Sequence, residues 1–178
     1  MNTDTIRIET LDGGRIRAGA DGELAALLQD AVHDGASVGF LAPLGTGEAA
    51  AWWRGLAAEA EEGTRTVWAA YGAEGALLGV VTLARAAMPN QRHRGDIAKL
   101  LVRTSARGRG LGRRLLATAE AGATAAGLTL LVLDTETGSP AEGLYRSAGW
   151  TRVGTVPGYA ADPSGEPRAT TYYYKALG

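Results

Sequence analysis

Glycine recurs at every second position in Arg107-Gly108-Arg109-Gly110-Leu111-Gly112, just ahead of a helical pattern. Alternate glycines let the backbone come close to a ligand. The free N–H groups of a helix start, with the positive end of its dipole behind them, suit a phosphate or pyrophosphate. Arg103, Arg107, Arg109, Arg113 and Arg114 flank the loop and add charge for the same ligand. Residues 92–114 hold eight basic groups and one acidic, a net of +7. Residues 1–91 stand at −6 and residues 115–178 at −2, so the whole-chain charge of −1 conceals one sharply basic segment. The bland reading is a flexible turn in a chain with 26 glycines. A dinucleotide fingerprint fits less well, because its glycines follow the first strand of a βαβ unit and these follow the fourth. A P-loop requires Gly-Lys-Ser/Thr, which is missing. A nucleic-acid partner would want a wider basic surface with interleaved aromatics, so none is expected.

Two carboxylates are the other candidates. Asp134 ends an apolar strand, where open α/β sheets present their sites. Its ordinary role would be to shape the turn in Asp-Thr-Glu-Thr-Gly. Asp96 is the only acid in the basic segment, and a salt bridge to Arg94 or Lys99 would also account for it. Glu142 is explained by a capping box, Ser139-Pro-Ala-Glu142. Tyr145 reads as an amphipathic core tyrosine. Trp52 and Trp53 read as core rather than pocket, and His33 as a helix-end contact rather than a base. The chain has no cysteine, which excludes disulfides, thiolate nucleophiles and Cys-ligated metal centres. Two histidines, His33 and His93, argue against a His-based metal site, so no metal is expected.

These groups need a scaffold. Length and composition, 178 residues with 46% hydrophobic and 21% charged, suit a single globular domain over 1–178. Ile6 and Ile8 suggest a first strand. Apolar spacing predicts helices over 21–34, with Asp21 as N-cap, and over 46–62. The spacing and turn signals predict strands over 66–71, 76–84 and 96–103. A helix over 110–126 closes at Gly127, and 128–133 is a continuous apolar strand. A short helix from Ser139 precedes strands over 151–156 and 170–176, joined by a turn-rich loop, Pro157–Pro167. The order β-α-α-β-β-β-α-β-α-β-β implies one α/β domain around a mixed sheet. The segment Met1–Glu9 lacks the order of a secretory leader, and no apolar run approaches the roughly 20 residues of a membrane span. The expected location is cytoplasmic, with no membrane partner.

The stretch Leu100-Leu-Val-Arg-Thr-Ser-Ala-Arg-Gly-Arg-Gly-Leu-Gly-Arg-Arg-Leu-Leu116 resembles the acetyl-coenzyme A signature of the GCN5-related N-acetyltransferases. Arg107, Gly110 and Gly112 meet its Arg/Gln-x-x-Gly-x-Gly/Ala core. Ala141-Glu-Gly-Leu-Tyr-Arg-Ser-Ala-Gly-Trp150 is similar to that family's second cofactor-side element. A closer likeness is to the tabtoxin-resistance acetyltransferases, through 32–40, 105–112, 133–139, Thr151–Gly154, Pro157–Tyr159 and Tyr174–Leu177. The resemblance implies a mixed sheet with splayed central strands flanked by helices, and acetyl-CoA as cosubstrate. It implies that N–H groups of Arg109, Gly110, Gly112 and Arg113 hold the pyrophosphate while Arg107 and Gly108 shape the turn. Backbone groups of Leu100 and Val102 would pair with the pantetheine arm, and the Val102 N–H would face the thioester oxygen.

By the same resemblance Asp134 and Asp96 bind and deprotonate an amine, and Tyr145 acts as acid toward the leaving thiolate. The relative carries glutamate at position 96, so the shorter aspartate departs from its pattern. Ser37, Val38, Phe40 and Tyr159 would line the pocket of a small-molecule amine, such as a toxin or antibiotic. With no cysteine to carry an acyl group, the expected mechanism is direct attack in a ternary complex. The competing readings are acetylation of a protein N-terminus or lysine, and a non-catalytic acyl-CoA sensor. An exposed C-terminal strand would allow a homodimer.

Overall fold

Seven strands form one sheet in the order β1-β2-β3-β4-β5-β7-β6, in a computed structural model that describes residues 6–178. Residues 1–5, part of the segment read above for a leader, lie outside the described residues. The strands are β1 (Arg7–Leu11), β2 (Arg65–Tyr71), β3 (Leu77–Arg85), β4 (Arg94–Val102), β5 (Leu130–Glu136), β6 (Thr151–Ala161) and β7 (Pro167–Ala176). Every neighbouring pair is antiparallel except β4 and β5. The helices are α1 (Gly13–Gly19), α2 (Ala25–His33), α3 (Thr46–Glu61), α4 (Leu111–Ala125) and α5 (Pro140–Ser147).

The strands alternate their side chains between two cores. On one face α1, α2 and α3 bury Ile16, Leu27, Leu28, Trp53 and Leu56 against Val67, Val80 and Leu101. Trp53 fits there because its indole N–H donates to Leu24 O at 2.9 Å, so no polar group is stranded. On the other face α4 and α5 bury Leu111, Leu115, Leu116 and Tyr145 against Val81, Ile97, Leu131, Leu133 and Tyr173. The helices thus bear out the mixed α/β architecture.

Several expectations about local structure need correction. Helix α1 was not anticipated, because Gly13, Gly14 and Gly19 hide it; Asp12 caps it by accepting from Arg15 N at 2.8 Å. Asp21 is not an N-cap. It lies in the turn joining α1 to α2, kinked at Gly22, and pairs with Arg54. Pro157–Pro167 is not a loop but the far half of a long β6–β7 hairpin, which puts Tyr159 on a strand. The true turn is held by Asp162 Oδ1, which accepts from Ser164 N at 2.9 Å and Glu166 N at 3.1 Å. Pro157 and Gly158 interrupt the alternation locally, and a register shift between Val156 and Ala160 absorbs them. The capping box is also altered. Glu142 reaches Gly138 N at 2.8 Å and accepts from the Tyr173 hydroxyl at 2.7 Å, while the Ser139 side chain makes no cap bond to the helix. Strand β4 begins two residues earlier than read, and β5 runs past Asp134 to Glu136.

Helix α4 lies so close to the sheet that a Cβ on Gly122 would stand 2.4 Å from Trp68 Cζ2. An indole ring in a packed core cannot swing aside. Gly122→Ala should therefore cost about 1–3 kcal/mol by overpacking, read as a lowered urea midpoint. An unchanged midpoint would show that Trp68 has room to move.

Candidate active site

The parallel β4–β5 pairing comprises only Arg94↔Leu130, Gly95↔Leu131 and Asp96↔Val132. Beyond Asp96 the two strands part. On its other edge β4 stays paired with β3, and Arg103 N donates to Leu78 O at 2.8 Å. Antiparallel bonding alternates, so Val102, opposite Gly79, turns its N–H and C=O away from β3 and into the gap. The Val102 C=O is taken by Arg107 Nε at 3.2 Å. Its N–H faces the gap with no strand beside it.

A bulge in β4 sets the side chains. Lys99 and Leu100 together oppose Val81, and Lys99 has φ +50°. Thr82 Oγ1 donates to Ala98 O at 2.9 Å and holds the bulge. Before it Ile97 faces α4; after it Leu100 and Val102 do, while Leu101 joins the opposite core. Lys99 thereby turns to the face that α3 covers. Its ammonium lies 5.2 Å from the Trp52 ring centre and 6.0 Å from that of Phe40.

Asp134 sits opposite Tyr172 in the β5–β7 ladder, on the face away from Leu131 and Leu133. Asp96 pairs with Val132 across the parallel ladder and shares that face. Burial pushes the Asp134 carboxyl above its ordinary value and the nearby charge of Asp96 adds to this, while Lys99 opposes it. Asp96 also makes the ion pair offered as its ordinary role, with Arg94 Nη2 at 3.5 Å. Tyr145 comes from α5 on the far side of the sheet. Burial, and then the charge of Asp134, pushes its phenol up to about 12. Among the described residues its hydroxyl has no hydrogen-bond partner. Tyr172 donates to the Tyr159 hydroxyl at 2.6 Å, forming a second wall of the cleft.

The loop between α2 and α3 supplies Phe40, which packs edge-on against Trp52 at 5.8 Å, and the partly buried Val38. Ser37 lies on the same loop. The loop is tied at one end by Leu44 N donating to His33 Nε2 at 3.1 Å. It meets the hairpin turn where Ala42 N donates to Pro163 O at 2.8 Å. Trp52 and Trp53 divide: Trp53 is core, but Trp52 faces the cleft. Lys99, Trp52 and Tyr172 were missed as site residues. One signal pointed to the first: Lys99 is one of two lysines in a chain with 16 arginines.

The glycine loop behaves as its pattern requires. Gly108 and Gly110 both have φ +75°, and Gly110 is the N-cap of α4 without a side-chain cap. Nothing stands within 4 Å of a Cβ built on either. Arg114 N bonds Gly110 O at 3.2 Å, so the N–H groups of Leu111, Gly112 and Arg113 are the free donors of the helix start. The flanking arginines differ from expectation. Arg107 pairs with Asp34, and Arg103 Nε donates to Leu77 O at 2.6 Å. Arg113 Nη2 bonds Ser147 Oγ at 2.5 Å, and Arg114 Nη2 bonds Ile6 O at 3.0 Å. Arg109 alone of the five has no such partner among the described residues. Four of the five flanking arginines are therefore held by neighbouring groups of the chain, and backbone donors are left to meet an anion.

Known proteins share this fold. The acetyltransferase (GNAT) family model matches residues 29–150. An N-acetyltransferase from Staphylococcus aureus superimposes with a TM-score of 0.79 at 19% identity, covering 98% of this chain and 99% of that one. A phosphinothricin acetyltransferase from Sinorhizobium meliloti, solved with acetyl-CoA, gives 0.78 at 18% identity over 98% and 89% of the two chains. A ribosomal-protein-alanine N-acetyltransferase from Brucella melitensis gives 0.76 at 23% identity over 96% and 99%. Neighbours on this fold thus carry the names of both small-molecule and protein acceptors. Among the described residues no helix is long and apolar enough to cross a membrane.

Gly110→Val would put a branched side chain at a left-handed N-cap and into the open cradle. Coenzyme A affinity should fall at least tenfold by titration calorimetry while the circular dichroism spectrum is retained. Unchanged affinity would remove the pyrophosphate assignment.

Proposed function

This chain belongs to the acetyltransferase (GNAT) family, and from that premise we propose that it moves the acetyl group of acetyl-CoA to the amine of a small molecule. The observation that carries the reading is the gap beyond Asp96, which joins an open anion cradle at the start of α4 to a cleft that presents the Asp134 carboxylate. The residues fit the cosubstrate. Gly108 and Gly110 leave space where a pyrophosphate would lie, and the exposed edge of β4 at Leu100 and Val102 can pair with an extended arm as a third strand would. Acetyl-CoA, when bound, supplies an activated thioester.

The chain's own groups then have distinct tasks. Leu111, Gly112 and Arg113 hold the diphosphate by N–H donation, with Arg109 free to add charge. The Val102 N–H polarises the carbonyl oxygen. Asp134, whose partial desolvation makes it a stronger base than a fully solvated aspartate, takes a proton from the acceptor ammonium, and Asp96 adds negative charge beside it. Tyr145 stays protonated across the physiological range and donates toward the leaving sulfur. No cysteine is present to carry the acetyl group, which favours direct attack within a ternary complex.

The cleft's walls favour a small acceptor over a polypeptide. The α2–α3 loop and the β6–β7 turn join through Ala42 and Pro163, and the Tyr159–Tyr172 pair stands at the same end.

Thiol release from acetyl-CoA, with mass detection of the product, should show turnover on members of an amine panel that includes tabtoxinine-β-lactam, and none on an N-terminal alanine peptide. Turnover of the peptide alone would overturn the small-acceptor reading. Asp134→Asn should lower kcat at least 100-fold, within the usual range for losing a general base, with little change in coenzyme A affinity. In the parent, kcat/KM should fall on acidification through a midpoint above the ordinary aspartate value of 3.8, because the raised carboxyl is protonated below it. Tyr145→Phe should slow transfer about tenfold or more; a rate within twofold of the parent would leave Tyr145 a packing residue.

A further inference from the structure

One charge in the cleft has no task in acetyl transfer. Lys99 points into the acceptor face from the β4 bulge, half-buried, over the Trp52 and Phe40 rings. Among the described residues it has no carboxylate within 4 Å and no hydrogen-bond acceptor. The contrast within the chain is direct. Lys175, the only other lysine, meets Glu120 at 2.7 Å and Ala148 O at 2.8 Å. Arg65, whose like charge reaches Lys99, is itself held by Glu59 at 2.8 Å. Asp134 attracts the ammonium but stands outside ion-pair distance.

A buried cation is ordinarily paired, because removing it from water is costly. Two aromatic rings offset only part of that cost. Burial and Arg65 push the Lys99 ammonium below the ordinary lysine value, and Asp134 pulls it back. A partner anion would relieve the burden, and the cleft is where one can enter. Asp134 and Lys99 lie on one face of the sheet, on either side of the opening between β4 and β5. A molecule with a cationic nitrogen and an anionic group would meet both.

We propose that Lys99 is a specificity-determining residue that binds an oxyanion of the acceptor, a carboxylate, phosphinate or phosphonate, while the acceptor's amine lies toward Asp134. The amine half of this statement rests on the acetyl-transfer reading; the anion half does not. Lys99 positions the acceptor and takes no part in proton transfer. The acceptor class narrows accordingly to small amines bearing an oxyanion, and simple aliphatic amines become poor substrates. The two aromatic rings flank the ammonium.

The test uses the fact that the chain has two lysines. Protein labelled with 15N and 13C on lysine and saturated with coenzyme A is titrated with sodium acetate and, separately, with methylphosphonate, ionic strength being held constant with chloride. The Lys99 side-chain signal should move saturably and its titration midpoint should rise, while Lys175 stays still. A Lys99 signal that does not move, or moves only in step with Lys175, overturns the proposal whether or not any amine is a substrate. The second arm is kinetic, on α-amino acids paired with their decarboxylated amines. The parent should prefer the anion-bearing member at least tenfold in KM. Lys99→Met should abolish the preference, Lys99→Arg should retain part of it, and coenzyme A affinity should be unchanged in both. A preference that survives in Lys99→Met also overturns the assignment. If no amine is turned over at all, the transfer reading fails while the lysine titration still decides the anion site.

Discussion

The site exists because β4 has more backbone than β5 will pair with. Three register pairs join the strands, and then β4 continues for six residues with its outer edge unmatched. An unpaired donor buried away from water costs about as much as a lost hydrogen bond, so such an edge persists only where solvent or a ligand can reach it. Two features keep the gap open. The bulge at Lys99 rotates the strand so that Leu100 and Val102 pack down onto α4 while Lys99 swings to the other face. Strand β5 is meanwhile held along its whole length by β7, from Leu130↔Ala176 to Glu136↔Thr170. Neither strand is free to close on the other.

The same economy governs the arginines. A loop of alternating glycines is a poor scaffold by itself, since each glycine loses more backbone freedom on ordering than another residue would. The arginines around it are spent on that problem. Arg107 ties the loop to Asp34 at the end of α2 and to the Val102 carbonyl, Arg103 reaches β3, and Arg113 reaches α5. The one exposed ion pair among them, Arg107 with Asp34, contributes about 0–1 kcal/mol, so its effect is on geometry rather than on stability. The anion is then met by N–H groups already in place, which spares the entropy of ordering long side chains around it.

Local chemistry decided what could be read from the sequence. The glycine cradle was legible because positive φ at Gly108 and Gly110 restricts the residue type, and the fold order followed from apolar spacing. Asp134 was legible as a polar residue closing an apolar run. Helix α1 was hidden, since Gly13 is there to admit Glu61 and the Ala57 carbonyl, 44 residues or more away in sequence, which no local pattern reveals. The arginine partners were hidden for the same reason: Asp34 and Arg107 are 73 residues apart. Lys99 was the costliest omission. Its orientation depends on a bulge set by pairing between β3 and β4, and before that pairing is known its side chain could face either side of the sheet.

The electrostatics of the cleft also bear on the tyrosine. An ordinary thiol titrates near about 8.5, and the Tyr145 phenol is pushed up to about 12. Complete proton transfer from the phenol to such a thiolate would be uphill by about 3.5 pKa units, or roughly 5 kcal/mol. A hydrogen bond from the phenol to the sulfur carries no such cost and strengthens as charge builds there. Tyr145 therefore fits the role of a fixed donor better than that of an acid that gives its proton away. The carboxylate that raises its pKa is Asp134 itself, so protonating Asp134 during the reaction removes that repulsion and makes the phenol a better donor as the leaving group departs. The base on one face of the sheet and the donor on the other are coupled through the gap between β4 and β5.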